Sequence, residues 1–336
     1  MDRNKTSLLK VENLTKIFKI GGLVLGEKLT AVDNVSFQIE SDKPVIFSVI
    51  GESGSGKTTL ARLILKLIEP TNGKIFINGL DISRVKSKED FLNFRRLVQP
   101  VFQDPYDSFN PMKKVDNYLL KTALKILKVS KRKAFSLVDD ALKSVGLSFE
   151  KITGKFMNQF SGGELQRISI ARALIPKPKL IVADEPVSMV DASIRMNIMN
   201  LFKELNINFG INFIYITHDL STAYYLSDIM AIMYRGNIVE IGPSSLIFAD
   251  PLHPYTELLL KSIPEVGKEW KEDIKLSGIE TEEYGFEGCK FYNRCPYADE
   301  HCKKSRPILI DKGDGRKVAC FKYDDNLSRA LSKSLK

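Results

Sequence analysis

The stretch GESGSGKT, Gly51 to Thr58, joins an apolar run, PVIFSVI, to a second one, TLARLILKLI. It fits the pattern G-x-x-x-x-G-K-[ST] in the strand, loop, helix setting that gives that pattern its meaning. Glycines let the backbone wrap a polyphosphate, so that its N–H groups and the amino end of the following helix face the anion. Gly51, Glu52, Ser53, Gly54, Ser55, Gly56, Lys57, Thr58 and Thr59 are the candidate phosphate-binding residues. Lys57 would reach the β- and γ-phosphates, and the Thr58 hydroxyl would bind Mg²⁺. Further on, KLIVADEP places two adjacent acids at the end of another apolar run. Asp184 would hold the metal, directly or through water, and Glu185 would orient and polarise an attacking water as general base. His218, in YITHD, follows a third such run and could fix that water against the γ-phosphate.

Two other groups of residues are less easily assigned. QFSGGELQR, Gln159 to Arg167, sets a hydroxyl and two glycines where a helix begins, yet holds no residue suited to breaking a bond. Four cysteines, Cys289, Cys295, Cys302 and Cys320, all fall near the carboxyl end, with five, six and seventeen residues between successive members. Such a cluster favours metal binding over disulfides in a reducing compartment. No C-x₂₋₄-C pair is present, which weakens the usual zinc pattern.

The elements that must position these residues read as an α/β core. VSFQIE alternates as a half-buried strand does, and PVIFSVI is continuously apolar, as a strand covered on both faces would be. The first hundred residues otherwise read as strands and turns. From Lys113 to Val145 there is no Gly or Pro, and leucines recur near helical spacing, which predicts a mostly helical segment. KLIVADE and INFIYITHD read as two further buried strands. Apolar strands alternating with helices predict a parallel sheet with its ligand at the strands' carboxyl ends, where the polar clusters fall. The composition changes near Asp250, so residues 1–250 are expected as one domain and 251–336 as a small appended one. No run is long enough to span a bilayer, and the amino end does not read as a signal peptide, so a cytosolic chain is expected. The net charge of +9 is dispersed and singles out no partner.

Taken in order, the glycine-rich loop, VFQDPYDSFNP, FSGGELQR, VADEP, SMVD and THD resemble the nucleotide-binding domain of ABC ATPases over about residues 7 to 245. The resemblance implies a P-loop core of mixed sheet and helices with a helical subdomain at about 104–172. It also implies that the serine-glycine-glycine segment works in trans. Ser161 would cap a helix whose amino end, with Gly162 and Gly163, meets the γ-phosphate of ATP on a second subunit. By the same resemblance Phe18 stacks on adenine, and Gln103 touches Mg²⁺ and links the site to a membrane partner. Asp191 crosses the dimer interface. Departures are mild: Phe160, Glu164 and Met189-Val190 stand where other residues are commoner, and no phosphate-contacting type is lost.

The tail, with PLHPYTELLLKSIP and the cysteines, resembles that of ATP-binding subunits of oligopeptide- and dipeptide-type ABC importers. This implies uptake of peptides, or of oligosaccharides or nickel, driven by ATP and Mg²⁺ at the cytoplasmic face of the membrane. The implied partners are a second ATPase subunit, identical or paralogous, two transmembrane permease subunits and an extracytoplasmic solute-binding protein, with no nucleic acid. Some such tails carry a [4Fe–4S] cluster on four cysteines; zinc or no metal are the alternatives. The rival reading, an ABC ATPase acting on nucleic acid or ribosomes, fits less well. Gly51 and Ser161 stand too close for an intervening coiled coil, and only one cradle is present. A binding module without turnover is disfavoured by Glu185 and His218 together.

Overall fold

The computed structural model describes residues 7–20, 27–40, 42–262 and 284–324. Ile263 and Pro264, which end the PLHPYTELLLKSIP stretch, lie outside them. Two sheets form the frame. The smaller has the order β2-β1-β4-β5, from β1 (Ser7–Ile20), β2 (Glu27–Glu40), β4 (Asn72–Ile77) and β5 (Leu80–Asp81). In β2 Val35, Phe37 and Ile39 are buried while Ser36 and Gln38 are exposed, the alternation its sequence predicts.

The larger sheet centres on β3 (Ile46–Ile50), all five residues of which are buried. It runs parallel to β8 (Asn212–Thr217) on one side and β9 (Ile229–Tyr234) on the other. Beyond β8 lie β7 (Leu180–Asp184) and β6 (Val98–Val101), both parallel, while β10 (Asn237–Pro243) pairs antiparallel with β9. Because β6, β7, β8 and β3 point one way, Gln103, Asp184, His218 and the glycine-rich loop all follow strand ends on one edge. The sheets pack face to face, and the Phe37 and Phe47 rings stack across the join with centroids 4.9 Å apart.

A second apolar cluster gathers α3 (Val115–Thr122), α4 (Lys131–Lys143), the short α5 (Phe149–Ile152), α6 (Gly162–Leu174) and α7 (Ala192–Phe209). The predicted helical segment is thus helical but broken: a π-helical turn, Ala123–Leu127, ends at Lys128 in the left-handed region. One helix departs from the expected strands and turns, α2 (Lys88–Leu97). It fully buries Phe94 and packs the partly buried Phe91 and Leu97 against the same core, and a reciprocal Ser87–Asp90 capping box starts it.

The tail does not stand apart. Its strand β12 (Lys317–Val318) pairs with β10 and extends the large sheet, and β11 (Ile310–Asp311) follows at the edge. Glu240, fully buried on β10, accepts the Leu252 and His253 N–H groups at 3.0 Å each and fixes where the tail begins.

Candidate active site

The loop after β3 is pressed from both sides. A Cβ on Gly51 would lie 2.1 Å from the Met233 carbonyl oxygen, and one on Gly56 would lie 2.1 Å from that of Ala31. Gly56 also takes φ of +103°, open in practice only to glycine, and from there α1 (Lys57–Ile64) begins. The Lys57 ammonium is buried inside the loop, donating to the carbonyls of Gly51 at 2.7 Å and Glu52 at 2.9 Å. Burial holds its pKa below the usual lysine value, while Glu185, Asp184 and Glu52 oppose that shift. The loop is a preformed ring of backbone dipoles with a cation at its centre.

Across from it, the Thr58 hydroxyl donates to Asp184 Oδ1 at 3.3 Å. Burial raises the Asp184 pKa and Glu185 adds to this, against the Thr58 hydrogen bond and the Lys57 charge. Hydroxyl and carboxylate oxygens together are the hard ligands Mg²⁺ takes, so the donor set fits that ion. Glu185 has φ of +46°, a left-handed conformation that a residue with a side chain adopts at a cost. Its N–H donates to the Ile216 carbonyl at 2.9 Å, and its own carbonyl accepts the Ser188 hydroxyl at 2.9 Å. So pinned, its carboxylate lies 3.0 Å from His218 Nδ1, and both line a cavity of about 110 Å³.

Ser161 caps α6 as its sequence predicts. Its hydroxyl accepts the Glu164 N–H at 3.2 Å, and the Glu164 carboxylate accepts the Ser161 N–H at 3.0 Å. Those bonds hold the Glu164 carboxyl below its usual pKa, and Leu165, Ile168 and Ala171 are fully buried beneath. Ser161 itself is exposed, and Gly163 is buried because a Cβ there would meet Ile194 at 2.6 Å. Asp191 stands exposed at the start of α7, and its side chain makes no capping bond to that helix.

Gln103 is exposed in the loop after β6. Phe18 is half-buried on β1, paired with Leu29 of the β2 strand whose Ala31 presses on Gly56. The Lys16 ammonium lies 5.2 Å from its ring. A residue the sequence did not single out connects these parts. Gln166, fully buried on α6, donates to the Pro186 carbonyl at 2.8 Å and to the Phe102 carbonyl at 3.4 Å. It joins the capped helix to the loop after Glu185 and the segment before Gln103.

All four cysteines line one cavity of about 290 Å³ in the tail. Burial pushes the thiol pKa of Cys289 up to about 11 and that of Cys302 up to about 12, and raises Cys295 and Cys320 as well. Among the described residues no three His, Cys, Asp or Glu side chains converge closely enough to hold a metal ion.

The chain is similar to known proteins in sequence and in fold. Residues 32–188 match the ABC transporter family, and residues 239–302 match the oligopeptide/dipeptide transporter C-terminal region. The chain is 39% identical over 320 residues to a probable peptide ABC transporter ATP-binding protein, y4tS, of Sinorhizobium fredii, covering 94% of this chain and 89% of that protein. The chain belongs to the ATP-binding subunits of ABC transporters. It is also 37% identical over 326 residues to the dipeptide transport ATP-binding protein DppF of Haemophilus influenzae, covering 96% and 98% of the two chains. Among solved structures, the dimeric, post-hydrolysis form of the ATP-binding cassette MJ0796 bound to ADP and Pi superposes with a TM-score of 0.62 at 28% identity. That match covers 70% of this chain and 98% of the cassette. This ABC ATPase therefore has the mixed α/β cassette fold expected of it. Among its described residues no helix is long and apolar enough to cross a membrane.

Proposed function

We propose that the chain hydrolyses ATP at a site completed by a second cassette, and that this drives uptake of peptides or related solutes through two permease subunits. The observation that carries the chemistry is the Glu185–His218 pair, 3.0 Å apart at the strand edge that also holds Lys57, Thr58 and Asp184. Glu185 takes the proton of the attacking water, and His218 holds the carboxylate in place and contacts the γ-phosphate. Lys57 and the loop amides neutralise and orient the phosphates. Thr58, Asp184 and Gln103 would hold Mg²⁺, which would supply charge neutralisation at the phosphates. The exposed amino end of α6, with Ser161, Gly162 and Gly163, closes over the nucleotide of the other cassette, and Asp191 meets that cassette beside it. Phe18 packs against the adenine.

Peptide cargo is supported by the tail, whose family model and relatives serve peptide transport. The permeases and an extracytoplasmic solute-binding protein would complete the importer, with this chain on the cytoplasmic face. The four cysteines would hold a [4Fe–4S] cluster. The four thiols line one cavity and are the residues that would hold it, with zinc as the alternative occupant. Protein purified without oxygen is then expected to be brown with broad visible absorption and to contain iron and sulfide; colourless protein with one zinc per chain refutes this.

Replacing Glu185 by Gln keeps the shape and removes the base. ATP binding should be retained, steady-state turnover should drop at least a hundredfold, and an ATP-held pair of cassettes should accumulate. Turnover at the wild-type rate in that variant rejects Glu185 as the base.

A further inference from the structure

Three side chains reach from the tail to the phosphate loop. The Arg294 guanidinium grips both Glu52 carboxylate oxygens, at 3.0 and 2.9 Å. The Tyr255 hydroxyl accepts the Glu52 N–H at 3.0 Å, and the Tyr284 hydroxyl donates to the Gly54 carbonyl. With Lys57 on its carbonyl, Glu52 is held at its amide, its side chain and its oxygen. The ion pair is largely sheltered, with side chains 11% and 20% exposed, and a forked pair of this kind fixes orientation as well as charge. Behind it stands a buried aromatic group. The Tyr255 ring lies 4.5 Å from Tyr234 and 5.5 Å from Phe291, and the Arg294 guanidinium lies 5.7 and 5.6 Å from those same two rings.

The loop exists to hold an anion, yet Glu52 places a carboxylate within it. Left unpaired, that sheltered charge would repel a polyphosphate held by the same loop. Arg294 cancels it, and the two tyrosines hold the backbone on either side. Resting on the reading of this loop as the ATP cradle, we propose that Arg294, with Tyr255 and Tyr284, is a positioning residue of the nucleotide site. It neutralises Glu52 and braces the loop, making the tail a working part of the cradle. Arg294 directly precedes Cys295, so the brace shares a short segment with the wall of the four-cysteine cavity.

The test is titration of the purified full chain with trinitrophenyl-ATP at low and moderate salt, with thermal melting alongside. Arg294→Met should weaken binding roughly three- to tenfold, most at low salt, because it leaves a sheltered, uncompensated carboxylate on the loop that takes the phosphates. Arg294→Lys, which keeps the charge, should recover most of the loss. The double variant Glu52→Gln/Arg294→Met should return close to wild-type affinity. Wild-type affinity in Arg294→Met overturns the proposal, and so does a double variant as weak as the single one. Should Arg294→Met not yield folded protein, the same titration of Arg294→Gln against Arg294→Lys decides: weaker binding in the glutamine variant supports the proposal, and equal wild-type affinity in both overturns it. A wild-type chain unable to bind the analogue would strike the cradle reading itself.

Discussion

Glu185 sits in a left-handed conformation that costs about 1–3 kcal/mol. Its N–H and carbonyl are both bonded, so the rest of the fold maintains the strain and the carboxylate stays aimed at His218. No property of the letters VADEP announces that backbone. The meeting of Lys57, Thr58, Asp184 and Glu185 at strand ends was legible, because motif spacing ties each to such an end. Gln166 was not, since a glutamine inside a helix reads as a surface residue until its neighbours are known. Its amide spans two segments of the site, which gives a residue-scale expectation. Gln166→Ala should lower stability by about 1–2 kcal/mol, by leaving the buried Pro186 carbonyl short of its donor, and should lower kcat more than ATP affinity. Denaturant unfolding and steady-state kinetics on the same preparations check this; a variant with unchanged kcat would make Gln166 a packing residue only.

Among elements, the parallel run β6-β7-β8-β3 accounts for the site, since four strand ends on one edge bring together residues far apart in sequence. That much was legible from continuously apolar strands followed by polar clusters. The helices were less so: α2 was missed although Ser87 and Asp90 form a cap signal and Phe91, Phe94 and Leu97 recur at helical spacing among five charged residues, and the break after α3 has no Gly or Pro to mark it. The α6–α7 contact shows why the second glycine of the capped segment matters. Gly163 faces Ile194 with room for no Cβ, so the helix tip is placed by close approach rather than by its own cap alone. Gly163→Val should lift α6 from α7 at a cost of about 1–3 kcal/mol and impair hydrolysis, and Ile194→Ala in the same chain should restore part of both. Thermal melting and ATPase assays on the single and double variants check it; a tolerated valine would show the contact to be slack.

For the molecule as a whole, the tail expected as an appended domain adds strands to the main sheet, anchors on Glu240 and reaches the phosphate loop through Arg294. Sequence separation hid this, because nothing near Cys295 points to Glu52. The exposed tip of α6 is the opposite case. Its capping serine is exposed, and we propose that the ligand of this helix end is another chain's nucleotide. The most direct measurement of that claim places two lesions in a pair of cassettes, Lys57→Ala in the cradle and Gly162→Asp at the helix tip, and reads ATP hydrolysis. If each site takes its cradle from one chain and its helix tip from the other, Lys57→Ala in one chain opposite the helix-tip lesion in its partner spoils one site and leaves one working. Both lesions in one chain opposite an unaltered partner spoil both sites. Activity is therefore expected from the split arrangement and none from the combined one; activity from the combined arrangement and none from the split would contradict completion of each site by the partner cassette.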